Sequence, residues 1–538
     1  MDAGESSSPR VASRQVPELV RRSTLEDLRS LAGIDHPIKY RRAAAQRVYC
    51  NRDVNMEHIA YIGFDMDYTL AAYRRPAFDE LQFSLICETL VKEFGYPSVL
   101  LEWHFQPDFL IRGLLLDASR GNFIKCDAYG VMLRVLHGRR RLLQEEMEAA
   151  YPSGNVASSQ VGEEFQSMDT LYHLPIANVY ANLVHYFDDG HVERDENVSA
   201  HAAATTAGTN GIAAASLMAD DARISYLNLW QDVRAASDIV HERGLLKQRT
   251  LERLTEYLSD DDATYRMLRL LRGAGKRLFL LTNSEYWYTS AVMDYMVGRF
   301  ACPDDPSAGW RHAFDVCIVG AKKPTFFRNG TTLREVDVRT GRPKLDDVRT
   351  RHLRLEALRG RVFQGGSIAI FHALAGVARG SSVLYVGDHV YADVLLARKA
   401  HHWRTLLVVP ELSAEIRALT QAQALLKRLQ TLEYLRAEMF RGLDASARER
   451  PDRDGVLQAE LERVREGIEA AFNRYAGGLF RSAHRTTLFA QQVSFFADLY
   501  TERCANLADY PGFYYFSSVS TPQMPHEDQP AMTSERVG

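Results

Sequence analysis

Five short apolar runs place the strongest constraint on the fold of this chain. They read IAYIGF (59–64), RLFLLT (277–282), VCIVG (316–320), VLYVG (383–387) and TLLVVP (405–410). Each run lacks the polar alternation of a half-exposed strand, so each predicts a strand of a parallel sheet that is buried on both faces. Helical patterns lie between some of them, such as DATYRMLRLLRGAGK, whose glycines are expected to end the helix. This order predicts an α/β fold built on a doubly wound parallel sheet.

The spacing of the runs predicts a large insertion. The first run ends at residue 64 and the second begins at residue 277, which is too far apart for a single crossover. The segment ISYLNLWQDVRAASDIVHERG has helical spacing of its apolar residues. The predicted division is a flexible segment 1–38, a core of 39–80 and 260–415, an inserted cap 81–259 with a mobile loop 196–221, a helical region 416–520 and a flexible tail 521–538. The helical region is expected to pack on the core, with an oligomer contact as the alternative.

Composition excludes several classes of partner. The net charge is −4, so bulk electrostatics favour neither nucleic acid nor an anionic membrane. No run approaches the ~18 apolar residues of a membrane span, and the first residues lack the apolar core of a secretory signal. The six cysteines form no CxxC pair, which indicates free thiols rather than disulfides or a zinc site. The prediction is a cytoplasmic protein with no membrane or nucleic-acid partner.

Polar side chains follow four of the predicted strands, at the edge where an α/β sheet binds ligands. They are Asp65, Asp67 and Thr69 after the first run, Thr282, Asn283 and Ser284 after the second, Lys323 after the third, and Asp388 and Asp393 after the fourth. Clustered carboxylates are costly unless a hard cation neutralises them. A lysine and short hydroxyl groups can hold the oxygens of a phosphate. The sequence therefore predicts a divalent cation and a phosphoryl group at this edge.

Simpler explanations exist for some of these residues. The stretch DMDYTL resembles the start of a calcium loop, but Leu70 and Pro76 stand where such a loop needs glycine and glutamate. Alone, the stretch would also fit a capping turn. Asp393 taken singly would fit a carboxylate at a helix N-terminus. Lys323 is preferred over its neighbour Lys322 because Pro324 fixes the turn that follows it.

Several longer motifs resemble one known family. DMDYTLAAYRRP, LLTNSEYWYTSAVM, KKPTFFRNGTTLREVD, VLYVGDHVYADVL and the late MPHE are similar to the haloacid dehalogenase superfamily, and more narrowly to the cytosolic purine 5′-nucleotidases, over roughly residues 45–526. The resemblance implies a haloacid dehalogenase-like core and Mg²⁺-dependent hydrolysis of nucleoside 5′-monophosphates. It implies Asp65 as nucleophile, Asp67 as acid and base, and Lys323 as the group that stabilises charge. Mg²⁺ would be held by Asp65, the main-chain carbonyl of Asp67 and Asp388, with Asp393 beside them.

The same resemblance implies the substrate contacts. Thr282, Asn283 and Ser284 would orient the phosphate and sugar, Arg234, Asp238 and Lys247 would contact the base, and Tyr172 would stack on it. Preferred substrates would be 6-oxopurine nucleotides, IMP and GMP. The alternatives are an ordinary surface pair for Arg234 and Asp238, and core packing for Tyr172.

The resemblance also leaves the wider function open. It implies a homo-oligomer, a dimer or tetramer, and the covalent intermediate would permit phosphotransfer. The stretch 153–164 lacks an expected basic residue, and Phe495 and Phe496 replace a basic residue and a tyrosine, which puts effector activation in doubt. The alternative functions are a phosphatase of another small ester, or a weakly active nucleotide-binding or interaction protein.

Overall fold

The computed structural model describes residues 42–189, 225–259, 262–298, 306–347, 358–441, 443–448, 451 and 455–518. From Ala44 onward the described residues pack as one unit. The predicted flexible segments 1–38 and 521–538 and the predicted loop 196–221 lie outside the described residues.

The strands and helices are numbered in chain order. The strands are β1 Tyr49–Cys50, β2 Val54–Asn55, β3 Tyr61–Phe64, β4 Leu114–Asp117, β5 Asn122–Cys126, β6 Met132–His137, β7 Arg140–Arg141, β8 Gln166–Met168, β9 Arg277–Leu281, β10 Val316–Val319, β11 Leu333–Asp337, β12 Arg342–Asp347, β13 Val362–Gly365, β14 Val383–Gly387, β15 Arg404–Val408, β16 Arg481–Ser482, β17 Arg485–Thr486, β18 Leu499–Thr501 and β19 Tyr515–Phe516. The helices are α1 Ala77–Phe94, α2 Gln144–Ala150, α3 His173–Asp188, α4 Tyr226–Glu242, α5 Leu245–Glu252, α6 Leu254–Tyr257, α7 Ala263–Gly273, α8 Tyr286–Val297, α9 Ile368–Ala375, α10 Leu396–His401, α11 Leu412–Gln421, α12 Gln423–Arg441, α13 Val456–Phe472 and α14 Leu488–Phe496.

A ten-stranded sheet organises the molecule, in the order β1-β18-β15-β14-β3-β9-β10-β13-β11-β12. The strands from β18 to β13 are parallel, and β1, β11 and β12 are antiparallel to their neighbours. All five strands predicted from the apolar runs are present as β3, β9, β10, β14 and β15. Their centres are buried on both faces, as a parallel sheet between helices requires. The α/β prediction is confirmed at this level.

The predicted insertion contains a second, antiparallel sheet of five strands, in the order β7-β6-β5-β4-β8. Helices α1, α3 and α4 pack on one another beside it. The predicted helix of the WQDVRAASDIVH segment is α4, and its Trp230, Val233 and Val240 are buried as expected. Leu227, another apolar residue of this helix, is not buried, because 42% of its surface stays exposed.

The predicted helical region 416–520 contains short strands as well as helices. Its two long helices, α12 and α13, pack on each other and enclose Leu429, Leu461 and Ile468. However, β18 from the same region enters the main sheet between β15 and β1. Three residues are too few to show a strand pattern, which is why the sequence did not reveal it. No described helix combines the length and the apolar character needed to cross a bilayer.

Candidate functional site

The predicted polar residues meet at the carboxyl ends of the central strands. The N–H of Asp65 donates to the carbonyl of Val386, 2.9 Å away, which continues the pairing of β3 with β14. The N–H of Thr282 donates to the carbonyl of Ile318 at 3.0 Å, which continues the pairing of β9 with β10. Regular backbone pairing in the sheet therefore positions the backbones of Asp65 and Thr282, from which their side chains extend.

Lys323 connects the acidic residues of this edge. Its Nζ lies 2.9 Å from Asp65 Oδ1 and 2.7 Å from Asp393 Oδ1, and it donates to the Tyr385 hydroxyl at 3.0 Å. Burial alone lowers the pKa of Lys323, but Asp393 and Asp65 outweigh it and raise that pKa well above its usual value. The side chain is therefore an ammonium at neutral pH and makes the buried acids tolerable.

Three carboxylates lie together around this lysine. One carboxylate oxygen each of Asp65, Asp388 and Asp393 lies within 4.8 Å of the others. Burial raises the pKa of Asp65 to about 7, against the opposing effect of Lys323. Burial, together with Asp393 and Asp65, raises the pKa of Asp388 well above its usual range. Full ionisation of the three acids would therefore leave more negative charge than one lysine offsets.

This arrangement suits a hard divalent cation. The carboxylate of Asp388 is buried and accepts no hydrogen bond from any described residue, whereas Lys323 engages the other two acids. Free carboxylate oxygens are the ligands that Mg²⁺ prefers. Asp65 and Asp388 fit the predicted ligand set. Asp393, rather than the side chain of Asp67, supplies the third carboxylate of the cluster.

A glycine makes room for Asp393. A Cβ atom at Gly387 would lie 2.5 Å from the carboxylate of Asp393. Asp393 lies in a π-helical turn, Val390–Leu395, and its Oδ2 accepts from the N–H of His389 at 3.2 Å. The predicted alternative was a simple carboxylate at a helix N-terminus. It accounts for the hydrogen bond from the His389 N–H, but not for the contact between Asp393 and Lys323.

The Asp67 side chain is not part of the group of three acids. Its Oδ1 accepts from the Tyr73 hydroxyl at 2.6 Å and its Oδ2 accepts from the Ser284 hydroxyl at 2.7 Å. The Tyr73 hydroxyl is also 2.7 Å from the hydroxyl of Tyr288. Tyr68, directly after Asp67, has a φ of 54°, an uncommon conformation for a bulky residue. The two aspartates of the opening motif therefore occupy different environments.

The amide of Asn283, a predicted substrate contact, is held by the backbone of Lys323. Its Oδ1 accepts from the Lys323 N–H at 2.6 Å and its Nδ2 donates to the Lys323 carbonyl at 3.0 Å. Both ends of the amide are engaged by one backbone, so Asn283 orients Lys323. Thr282 and Ser284 stay at the site, where the Thr282 hydroxyl oxygen accepts from the Ser284 N–H at 3.1 Å.

The predicted base-recognition residues lie on the insertion and are less constrained. Arg234 and Asp238 are both exposed on α4, and neither forms a hydrogen bond or ion pair with another described residue. Burial lowers the pKa of His173, and the charge of Arg234 adds to this, which places Arg234 near that histidine. Lys247 forms an ion pair with Glu285, so the structure brings it to the residue after Ser284.

Tyr172 lies among other aromatic rings. Its ring meets those of Tyr68 and His241 edge-on, with centroids 5.0 Å and 6.0 Å away, and it packs on the main core. This packing agrees with the core-packing alternative, and stacking of Tyr172 on a base stays a prediction. Asp67 is one of the charges that raise its pKa, after burial, so the ring is also close to the site.

A buried arginine that no sequence pattern singled out joins the insertion to this edge. Arg112 donates to both carboxylate oxygens of Glu411 at 2.7 Å, and its third nitrogen donates to the main-chain carbonyl of Asp388 at 3.2 Å. Its guanidinium also lies over the ring of Phe489, 5.2 Å from the centroid. The carbonyl that Arg112 holds belongs to one of the three clustered acids.

Comparison with known proteins agrees with this geometry. The model of the 5′ nucleotidase family matches residues 48–529. This chain belongs to the 5′ nucleotidase family. The human 5′-nucleotidase domain-containing protein 2 is 30% identical to it, over 89% of this chain and 85% of the human protein. The rat protein of the same name is also 30% identical, over 89% and 80%.

A 5′-nucleotidase domain-containing protein of Dictyostelium discoideum is 28% identical, over 87% of this chain and 72% of its own length. The predicted family and the predicted enzyme class, a 5′-nucleotidase, are confirmed. Membership in the 5′ nucleotidase family supports hydrolysis of nucleoside monophosphates at a general level.

Proposed function

We propose that this protein is a Mg²⁺-dependent phosphatase of nucleoside 5′-monophosphates, with 6-oxopurine nucleotides preferred, and that its core is haloacid dehalogenase-like. The observation that carries the proposal is the group of Asp65, Asp388 and Asp393 around Lys323, with Asp67 held separately beside it. This separation gives the two aspartates of one motif different chemical roles.

In the first step an oxygen of Asp65 attacks phosphorus and the bond from phosphorus to the ribose O5′ breaks. Asp67 gives its proton to O5′ as the nucleoside leaves, and an aspartyl-phosphate forms on Asp65. In the second step Asp67 takes a proton from water, the water oxygen bonds to phosphorus, and the bond to Asp65 breaks. Phosphate is released and both aspartates return to their starting states.

Lys323 serves both steps because its ammonium already lies 2.9 Å from the attacking carboxylate. It can stabilise negative charge on the transferring phosphoryl group without moving. A bound Mg²⁺ would neutralise phosphate charge at the same place, and Asp65 and Asp388 are the side chains that would hold it. Thr282 offers a hydroxyl group for a remaining phosphate oxygen, whereas the single hydroxyl proton of Ser284 is donated to Asp67.

Phosphate release from a panel of substrates tests this function. The panel contains IMP, GMP, AMP, CMP, UMP and a sugar phosphate, each assayed with Mg²⁺ and with EDTA. We expect the highest kcat/KM for IMP and GMP with Mg²⁺, and almost complete loss of activity in EDTA that added Mg²⁺ restores. Full activity in EDTA would contradict the proposed metal dependence.

A second candidate is a phosphatase of another small ester in the same site. It is favoured by one observation, namely that Arg234 and Asp238 are exposed and Lys247 is engaged by Glu285. A kcat/KM for the sugar phosphate above that for every nucleotide would select this candidate. Phosphotransfer to a nucleoside acceptor would follow from the same covalent intermediate, and labelled phosphate on added inosine would reveal it.

A further inference from the structure

The carboxylate of Asp67 is held on both oxygens by neutral hydroxyl groups. Tyr73 lies 2.6 Å from Oδ1 and Ser284 lies 2.7 Å from Oδ2. The last torsion of an aspartate side chain is broad and weakly restricted, so a carboxylate with one partner can still rotate. Two partners on opposite oxygens fix its plane. Ser284 already belongs to the predicted site, whereas Tyr73 does not.

The direction of these hydrogen bonds follows from counting protons. Asp67 becomes a carboxylate as it gives its proton to the leaving group, and a carboxylate only accepts, so in that state the single hydroxyl proton of Tyr73 points to Asp67. The contact of 2.7 Å between Tyr73 and Tyr288 must then use the proton of Tyr288. Tyr288, which lies in α8, thereby donates to the Tyr73 oxygen. Tyr73, in the segment between β3 and α1, donates in turn to Asp67, so the two tyrosines together set the position of the Asp67 carboxylate.

Packing alone does not explain the two hydroxyl groups. The ring of Tyr73 stacks on Phe78 with centroids 4.0 Å apart, and both tyrosines are almost fully buried. A phenylalanine would fill the same space without the cost of burying a hydroxyl group. The cost is offset because both hydroxyl groups form hydrogen bonds. The Tyr288 hydroxyl bonds to the Tyr73 hydroxyl, and the Tyr73 hydroxyl bonds to the Asp67 carboxylate.

We propose that Tyr73, supported by Tyr288, is a positioning residue that orients Asp67 for protonation of the leaving group. The inference rests on the proposed function, since it assigns a role within the same reaction. It has a specific consequence. Loss of the Tyr73 hydroxyl should slow departure of a leaving group that needs a proton, and should spare one that does not.

The test compares IMP with p-nitrophenyl phosphate, whose leaving group departs without a proton. The measured quantity is kcat/KM, because it reports only the steps up to leaving-group release and excludes the later hydrolysis that both substrates share. For Tyr73→Phe we expect kcat/KM to fall about 10- to 100-fold with IMP and less than about 3-fold with p-nitrophenyl phosphate.

Tyr288→Phe and Tyr257→Phe complete the set. Tyr288 acts through Tyr73, so in Tyr288→Phe we expect kcat/KM with IMP to fall by a smaller factor, about 3- to 10-fold. With p-nitrophenyl phosphate kcat/KM should again fall less than about 3-fold. Tyr257 belongs to the same aromatic cluster, with its ring 6.4 Å from Phe78, but has no bond to Asp67. Tyr257→Phe should therefore leave both substrates unchanged.

The outcomes separate this inference from the proposed function. Equal losses on both substrates in Tyr73→Phe and Tyr288→Phe would show a general structural effect and overturn the inference alone. An unchanged kcat/KM with IMP in Tyr73→Phe would do the same. If Tyr73→Phe does not fold, as judged by circular dichroism, the pattern in Tyr288→Phe decides. A wild-type protein that releases phosphate from neither substrate would overturn the proposed function, and this inference with it.

Discussion

The two sides of the site differ in how firmly their residues are held. At the sheet edge, Lys323 is buried and within 3.0 Å of two carboxylates and a hydroxyl group. On the insertion, Arg234 and Asp238 are exposed and have no hydrogen-bonded partner among the described residues. The residues proposed for the chemistry are therefore oriented before substrate arrives, whereas Arg234 and Asp238, proposed for base recognition, are not.

This difference has an energetic meaning. Oriented groups stabilise charge in a transition state without further reorganisation, so they raise the rate. Long exposed side chains must be ordered when a ligand binds, which costs ~0.5–1.5 kcal/mol for each of them. We therefore expect substitutions at the sheet edge to change activity or stability strongly, and substitutions on the insertion to change selectivity moderately.

Asp65→Asn should have the largest effect. It removes the attacking oxygen while changing the side-chain volume very little. Phosphate release from IMP should fall by roughly 10⁴- to 10⁶-fold, as when other enzymes lose their nucleophile. Thermal unfolding of the same protein, measured beside wild type, should show that the fold is kept. Near-normal turnover would exclude Asp65 as the nucleophile.

Arg112→Met should cause the next largest effect, on stability. It leaves the half-buried Glu411 carboxylate without its cation, and breaking a buried pair costs about 3–5 kcal/mol. Denaturant unfolding followed by fluorescence should detect this loss. The double variant Arg112→Met with Glu411→Met removes both charges and should recover much of it. A single variant as stable as wild type would show that this ion pair does not anchor the insertion.

Asp238→Ala should change selectivity. A carboxylate there can accept from the N1–H of hypoxanthine or guanine, whereas N1 of adenine is itself an acceptor. Loss of this hydrogen bond should cost about 1–3 kcal/mol of transition-state stabilisation with IMP. We therefore expect kcat/KM for IMP to fall roughly 5- to 150-fold, with a smaller fall for AMP. Glu242→Ala, another exposed acid of α4, is the control and should change neither substrate. A ratio of IMP to AMP equal to that of wild type would mean that Asp238 does not read the base.

Glu285→Gln should have the smallest effect. The Glu285 side chain is 57% exposed, so its ion pair with Lys247 is worth only ~0.2–1 kcal/mol. Without the pair, Lys247 is free to contact the nucleotide, and KM for IMP should fall by about 1.5- to 5-fold with kcat unchanged. Glu252→Gln, which breaks the exposed pair with Arg249, is the matched control. A higher KM in Glu285→Gln would mean that Glu285 itself helps to bind substrate.

The sequence revealed those features that depend on short, local patterns. The strands β3, β9, β10, β14 and β15 were predictable because each is a continuous apolar run. The polar residues that follow them were predictable because parallel strands end at a common edge. For Asp393 the sequence left a helix N-terminus as an alternative, because its contact with Lys323 depends on the space left at Gly387.

Other features depend on contacts between distant parts of the chain. Arg112 and Glu411 lie 299 residues apart, and nothing near either residue marks it as charged and buried. Tyr73 and Tyr288 lie 215 residues apart. From the sequence alone, a tyrosine in an apolar segment is predicted to pack in the hydrophobic core. The family resemblance implied Asn283 as a substrate contact, and only the fold shows that the backbone of Lys323 engages its amide. The homo-oligomer, the cytoplasmic location and the domain boundaries stay predictions.

The pairing of β1 with β18 determines when the sheet can be completed during synthesis. β1 lies near the beginning of the described chain, and its partner β18 lies near the end. The N–H of Val48 likewise donates to the hydroxyl of Tyr510, 462 residues later. A nascent chain that has left the ribosome as far as β15 already carries every acid of the cluster, but its outer strand has no neighbour and exposes unpaired backbone groups. Such a chain needs protection from aggregation until its last strands have been translated.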